Sequence, residues 1–489
     1  MMSLTIDSQS KPLATLPWRR LIPIGAVAAM LSGCATFTPD GGMKPVSAEV
    51  SAAIGKDTVK IASPAEASAV QSRLKALLTK PLTADGAVQL ALINNRGLQA
   101  EYNALGISEA AFVEASLPPN PVIGVERLSA SGSLEIERRI IANVLALLTL
   151  PARSEIARTQ FEAARQKAIE ATFRTAAETR RAYYRAVAAR QTASFLEQAR
   201  VAADAAADLT RKLGETGAAK KLDQARASAF YAEVSNELAQ ARLNVGTDRE
   251  ALTRMLGLWG ENLDYKLPGQ LPGMPRIQTA QQVEVDATRK RVDLIAARLE
   301  LDVTAKTLGL TEATRFISML NGGWRGNYER STADGVQESS APRGFELEIQ
   351  IPIFDGGEVN MRRSREIYMQ AVNRLMEKAV NVRSEARAAY LTYRGSYDIA
   401  RQYQNSILPL RQTINEQALL EYNGMLIDVF ELLTTARESI TTNVAAIAAK
   451  RDFFIATVDF ETAIIGGGSS AGSAGKGPAM AVAAGGGGD

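Results

Sequence analysis

The sequence predicts a mainly α-helical chain with a small β part, arranged as a duplicated unit. Three observations carry that expectation. Between Pro151 and Gly214 there is neither proline nor glycine, and Ala, Arg, Glu and Gln, all strong helix formers, dominate. From Phe345 to Ile353 every odd position is large and apolar, while the even positions are Glu346, Glu348, Gln350 and Pro352. That is the period-two pattern of a strand with one oily and one polar face. The same order of segments, helix, two strand-like pieces, very long helix, glycine turn and helix, then occurs twice along the chain.

Composition excludes several functions. A chain of 489 residues has room for two or more domains. Its net charge is only +3, with both signs well mixed, which gives no overall electrostatic case for nucleic acid. The absence of histidine removes the commonest general base and the commonest transition-metal ligand. A single cysteine rules out an intrachain disulfide and a Cys-based zinc site. No nucleophile or acid–base constellation stands out. Neither an enzyme nor a bound metal or cofactor is expected.

Residues 1–33 read as a signal peptide. Trp18-Arg19-Arg20 supplies positive charge, and Leu21 to Leu31 is an apolar run too short to span a bilayer as a mature helix. The following Leu31-Ser32-Gly33-Cys34 resembles the bacterial lipobox, which implies a mature chain acylated at Cys34. Ala35 in second place is compatible with an outer-membrane address. Residues 34–80 show little periodicity and read as an N-terminal leader that wraps or tethers. No other apolar stretch approaches the ~18 residues of a transmembrane helix, so any crossing must use strands.

The first unit covers 81–272. Thr83 can cap a helix that ends at Pro118-Pro119-Asn120-Pro121. Two strands follow within 121–150, joined by Ala130-Ser131-Gly132-Ser133, with Arg138 breaking the apolar parity of the second. The hairpin of 152–257 turns at Gly214 and Gly217, and about 60 residues at 1.5 Å each make its first helix about 90 Å long. The second unit, 273–465, repeats the plan. Ala287–Ala296 is the counterpart of Ala91–Ala100, and two strands within 315–354 flank a polar loop from Arg330 to Pro342. Asp355-Gly356-Gly357 hands over to the hairpin of 358–464, which turns at Gly424. Residues 466–489 form a Gly/Ala/Ser-rich tail expected to be disordered. Tyr183, Tyr184, Tyr390 and Tyr393 fall inside long helices and are assigned to packing.

Four strands cannot close a barrel, and an open edge in lipid leaves backbone groups unpaired at several kcal/mol each. The strands therefore call for an oligomer whose sheets close together. The lipobox, the two Ala-flanked repeats, Ile351 to Gly357 and Tyr422-Asn423-Gly424 to Glu431 together resemble the TolC-type outer-membrane efflux protein family, from about Pro81 to Ile465. The resemblance implies a homotrimer in which four strands per chain build one twelve-stranded barrel over a helical periplasmic tunnel. It implies a passive exit duct, served by a periplasmic adaptor and an inner-membrane transporter, with outer-membrane lipid around the barrel.

The resemblance also carries site residues. Asp428-Val429-Phe430-Glu431 matches the family's Asp-x-x-Asp segment with Glu in second place, which implies two stacked carboxylate rings at the narrow end. A solvated helix start favouring acids is the alternative reading of Asp428 and Glu431. Asp223 and Tyr422 match tip positions tied together in the family's closed state, yet no arginine lies between Tyr422 and Asp428. A coiled-coil lipoprotein without a pore is the competing function. The two-faced strand at Phe345–Ile353 counts against it.

Overall fold

The computed structural model describes residues 36–131, 133–277, 282–333 and 336–468. The signal peptide, Cys34 and the tail from 469 onward lie outside the described residues. The chain divides into two compact units, one holding the sheet and the other most of the helices.

In the first unit, β1 (Val122–Ala130) and β2 (Ser133–Asn143) form an antiparallel hairpin, and β2 pairs β3 (Met319–Ala333). β3 then carries two antiparallel partners end to end, β4 (Val336–Ser340) and β5 (Arg343–Gln350). The expected polar loop of 330–342 is therefore partly strand, and the sheet has five described strands rather than four. Pro342 explains the split. It has no N–H to donate, so the fourth strand line breaks there, and Asn327 N donates to the Pro342 carbonyl across the gap. At its other end β5 stops at Gln350, short of the expected Ile353, where Pro352 again removes a donor.

The turn after β5 accounts for the Asp-Gly-Gly motif. The Asp355 carboxylate accepts from Gly357 N at 3.1 Å and Val359 N at 3.3 Å. Gly357 has φ 75°, and a Cβ there would sit 2.4 Å from the Arg315 carbonyl. Only glycine fits. Arg315 in turn donates to Gly356 O and pairs with Glu358 at 3.1 Å.

The second unit corrects the expectation of little periodicity over 34–80, where two helices form. Met43–Ile54 (α1) buries Met43, Val46 and Val50 along one face. Pro64–Leu78 (α2) starts with a full capping box between Ser63 and Glu66 and buries Val70 and Leu74. Next come α3 (Ala84–Asn94) and α4 (Arg96–Ser116), while a short α5 (Val144–Leu148) follows β2 within the first unit. The first long hairpin pairs α6 (Leu150–Glu215, 66 residues) with α7 (Lys221–Leu256). After the linker stand α8 (Val283–Lys290) and α9 (Val292–Ala313). The second hairpin comprises α10 (Glu358–Gln402), a π segment at Tyr403–Ile407, α11 (Leu408–Asn423) and α12 (Val429–Ile465). The π segment lies just before Pro409, which lacks the donor a regular helix would use. Gly466–Gly468, assigned to the tail, are described, and Gly467 lies against Phe173 and Arg174 of α6.

An aromatic layer joins the two hairpins. Tyr184 of α6 stacks on Phe454 of α12 at 4.8 Å, and Tyr393 of α10 stacks on Phe460 at 5.1 Å and Phe453 at 5.8 Å. Phe453 is fully buried. The tyrosines assigned to packing do pack.

The duplication shows in the backbone. α3 ends at Asn95 (φ −66°, ψ 118°) and α8 at Arg291 (φ −68°, ψ 114°), the positions the sequence aligns. Each copy uses the break differently. Asn94 and Asn95 donate their amides to the carbonyls of Met255, Leu256 and Gly257, capping the C-terminus of α7. Arg291 instead grips Asp293 with two 2.9 Å hydrogen bonds and reaches Glu385 of α10 at 2.5 Å.

Burial pushes the Asp293 carboxyl up, but the hydrogen bonds and charge of Arg291, with Lys378, outweigh it and hold the group below the usual range. A depressed carboxylate stabilises the fold above its unfolded pKa of about 3.9, and that stability is lost as pH falls through the lower folded value. Asp293→Asn is expected to destabilise the helical unit by about 3 kcal/mol at pH 7. The deficit shrinks once pH drops below the ordinary Asp range. Urea unfolding at pH 7 and pH 3 checks this, and an equal deficit at both contradicts it.

Candidate functional site

Two regions carry the residues of interest. The first is the pair of hairpin turns. Asp223 lies in the first turn of α7 and pairs with Arg226 at 3.8 Å. The α11–α12 turn closes through Met425 N to Tyr422 O and Leu426 N to Glu421 O. Met425, at φ 59°, is the one non-glycine residue at positive φ among those described. Asp428 is the N-cap of α12, its Oδ1 accepting from Glu431 N at 2.9 Å. Both acids are exposed. Their placement therefore satisfies helix-start chemistry by itself, since a carboxylate cap and an acid in the first turn suit the positive end of the dipole.

No described hydrogen bond joins Asp223 to Tyr422. What joins the hairpins here is a reciprocal pair of cation–π contacts. Arg226 of α7 lies 4.4 Å over the Phe430 ring of α12, and Arg437 of α12 lies 5.9 Å over the Phe230 ring of α7. Arg437 also pairs with Glu233. Phe230 and Leu433 are buried between them with Val234, Ala203 and Ala227. These residues escaped the sequence reading. Phe430 lies inside the Asp-x-x-Glu segment and Arg226 one turn past Asp223, but no spacing announces a ring and a cation meeting across two hairpins.

The second region is the sheet. Cross-strand register puts Ile123, Ile140, Trp324 and Phe345 side by side in one row, with Gly322 opposite Leu347 and Leu320 opposite Ile349 beyond it. This face is apolar and open, with Phe345 93% and Leu347 67% exposed. The opposite face holds Glu126, Glu135, Glu137 and Glu329 with Glu338, Glu346 and Glu348, against Arg139 and Arg325. Opposed glutamates are bridged: Asn327 donates to Glu135 at 2.8 Å and Glu329 at 2.7 Å, while Arg325 reaches Glu137 at 2.8 Å.

Solved structures share this architecture. The outer-membrane channel CmeC of Campylobacter jejuni superposes with a TM-score of 0.68 at 15% identity, over 80% of this chain and 87% of that one. CusC, whose structures concern transmembrane channel formation, matches with a TM-score of 0.67 at 18% identity, over 81% of this chain and 92% of that one. The fold is that of outer-membrane channels. The outer-membrane channel MtrE of Neisseria gonorrhoeae in its open state gives 0.63 at 15% identity, over 81% of this chain and 89% of that one. The sequence matches no protein-family model and no curated protein, so structure carries the likeness.

Proposed function

We propose that this protein is a TolC-type outer-membrane exit duct, a homotrimer that passively conducts substrates out of the periplasm in a tripartite efflux or type I secretion system. The observation that carries the reading is the sheet, apolar on one face, acidic on the other and, among the described residues, unpaired along the outer edges of β1 and β5. Such a sheet suits neither water nor lipid alone. Sharing it with two more copies satisfies its edges, gives the oily face to the bilayer and the acidic face to a wet lumen. The fold shared with outer-membrane channels supports the same reading. A periplasmic adaptor and an inner-membrane transporter are the partners it requires.

In this duct Asp428 and Glu431 form the constriction, with Asp223 and Tyr422 at the hairpin tips. Carboxylate rings attract cations to a narrow opening. Cys34 carries the lipid that tethers the mature chain to the outer membrane.

The purified full chain in planar bilayers is expected to give discrete conductance steps that multivalent cations block. Asp428→Asn with Glu431→Gln keeps a capping oxygen but removes both charges, so block weakens while thermal stability stays within about 1 kcal/mol. Steps with undiminished block would sink the constriction assignment, and a complete lack of steps would leave a coiled-coil spacer instead. Radioactive palmitate is expected to label the native chain and not Cys34→Ser. Equal labelling of the two excludes acylation at that residue.

A further inference from the structure

The oily face of the sheet is not free of charge, and the charge on it has one sign. Arg127 on β1, Arg138 on β2, Arg330 on β3 and Arg343 on β5 share the parity of Ile123, Ile140, Trp324 and Phe345. Each of these four strands contributes one arginine. Among the described strand residues no acid shares that face, because the register sends each of their glutamates to the other. All four side chains are exposed, and no described ion pair ties any of them to a carboxylate. Arg330 donates to Gln337 at 2.8 Å.

Three of the four lie toward the loop ends of their strands, and Arg138 lies at the middle of β2. Arg343 opens β5, immediately before the apolar alternation from Phe345, and Arg127 and Arg330 lie near the loop ends of β1 and β3. Arg138 and Arg343 flank Gly326 in one row. The Trp324 indole covers that glycine, its Cη2 2.7 Å from where a Cβ would be. An indole over the glycine that separates two arginines in one row, next to an apolar row, suits head-group depth. An arginine on a lipid face is costly at the midplane and nearly free at the interface, which favours the same depth.

We infer that these four arginines form a girdle on the lipid-facing side of the barrel, at its loop-side rim, that binds the phosphate groups of anionic lipid. Guanidinium and phosphate match in charge and in paired hydrogen-bond geometry, and the missing partner acids leave the donors for lipid. The inference rests on the duct reading for its orientation in the membrane.

The test is lipid retention by the full-chain oligomer, read by native mass spectrometry after exchange into micelles containing phosphatidylglycerol, lipid A or phosphatidylcholine. The native protein is expected to retain the two phosphate-bearing anionic lipids over phosphatidylcholine; whichever of the two it keeps better identifies the source. The combined Arg127→Gln, Arg138→Gln, Arg330→Gln and Arg343→Gln variant is expected to lose that preference by at least about tenfold. Lysine at the same four positions restores part of it. Glutamine is cheaper than arginine in lipid, so assembly of the variant is not at risk. Equal retention by native and glutamine proteins overturns the girdle, as does displacement of lipid by millimolar inorganic phosphate. Failure of the native chain to insert into liposomes defeats the duct reading instead, and is scored separately.

Discussion

The unpaired edges of β1 and β5 are the constraint on which the rest of this structure depends. Among the described residues β1 pairs only β2, and β5, in line with β4, pairs only β3, so the sheet ends in an unpaired edge on each side. In water two such edges beside an exposed oily face invite aggregation. In lipid each unpaired peptide group costs several kcal/mol. Closure with further copies is the arrangement that satisfies both the hydrogen bonds and the face. In the proposed duct the acidic face is then wet and lines the lumen.

The helices follow from the same logic at a different scale. Rods as long as α6 gain little from propensity alone and need a partner along their length. The aromatic layer around Phe453 supplies it where α6, α10 and α12 meet, and the clamps of Arg226 on Phe430 and Arg437 on Phe230 supply it near the turns. Duplication makes the two hairpins similar enough to pack side by side. Divergence at one shared backbone break, amides in one copy and a buried guanidinium in the other, lets each half be fastened by its own means.

How much of this the sequence disclosed depends on the range of the interaction. The strand at Phe345, the glycine-free helix after Pro151 and the Asp-Gly-Gly turn are local patterns, and each lies where the sequence puts it apart from a few residues at strand ends. α2 carried a capping box that composition masked. β4 was hidden because Val336–Ser340 has no alternation of its own and exists by pairing with β3 beyond Pro342. The Arg226–Phe430 contact joins residues 204 apart in number, like the Arg437–Glu233 pair, and nothing local encodes it. Asp428 was legible as an acid of interest, but its N-cap geometry needed coordinates.

Cross-linking between copies tests the central claim most directly. Cysteines at Val125 on β1 and Leu347 on β5, in the same chain and in native membranes, are joined by a short thiol-specific linker. Closure of the sheet by three copies predicts a ladder that stops at the trimer and vanishes when either cysteine is omitted. A monomer that never cross-links, or a ladder that runs on past three, would contradict it.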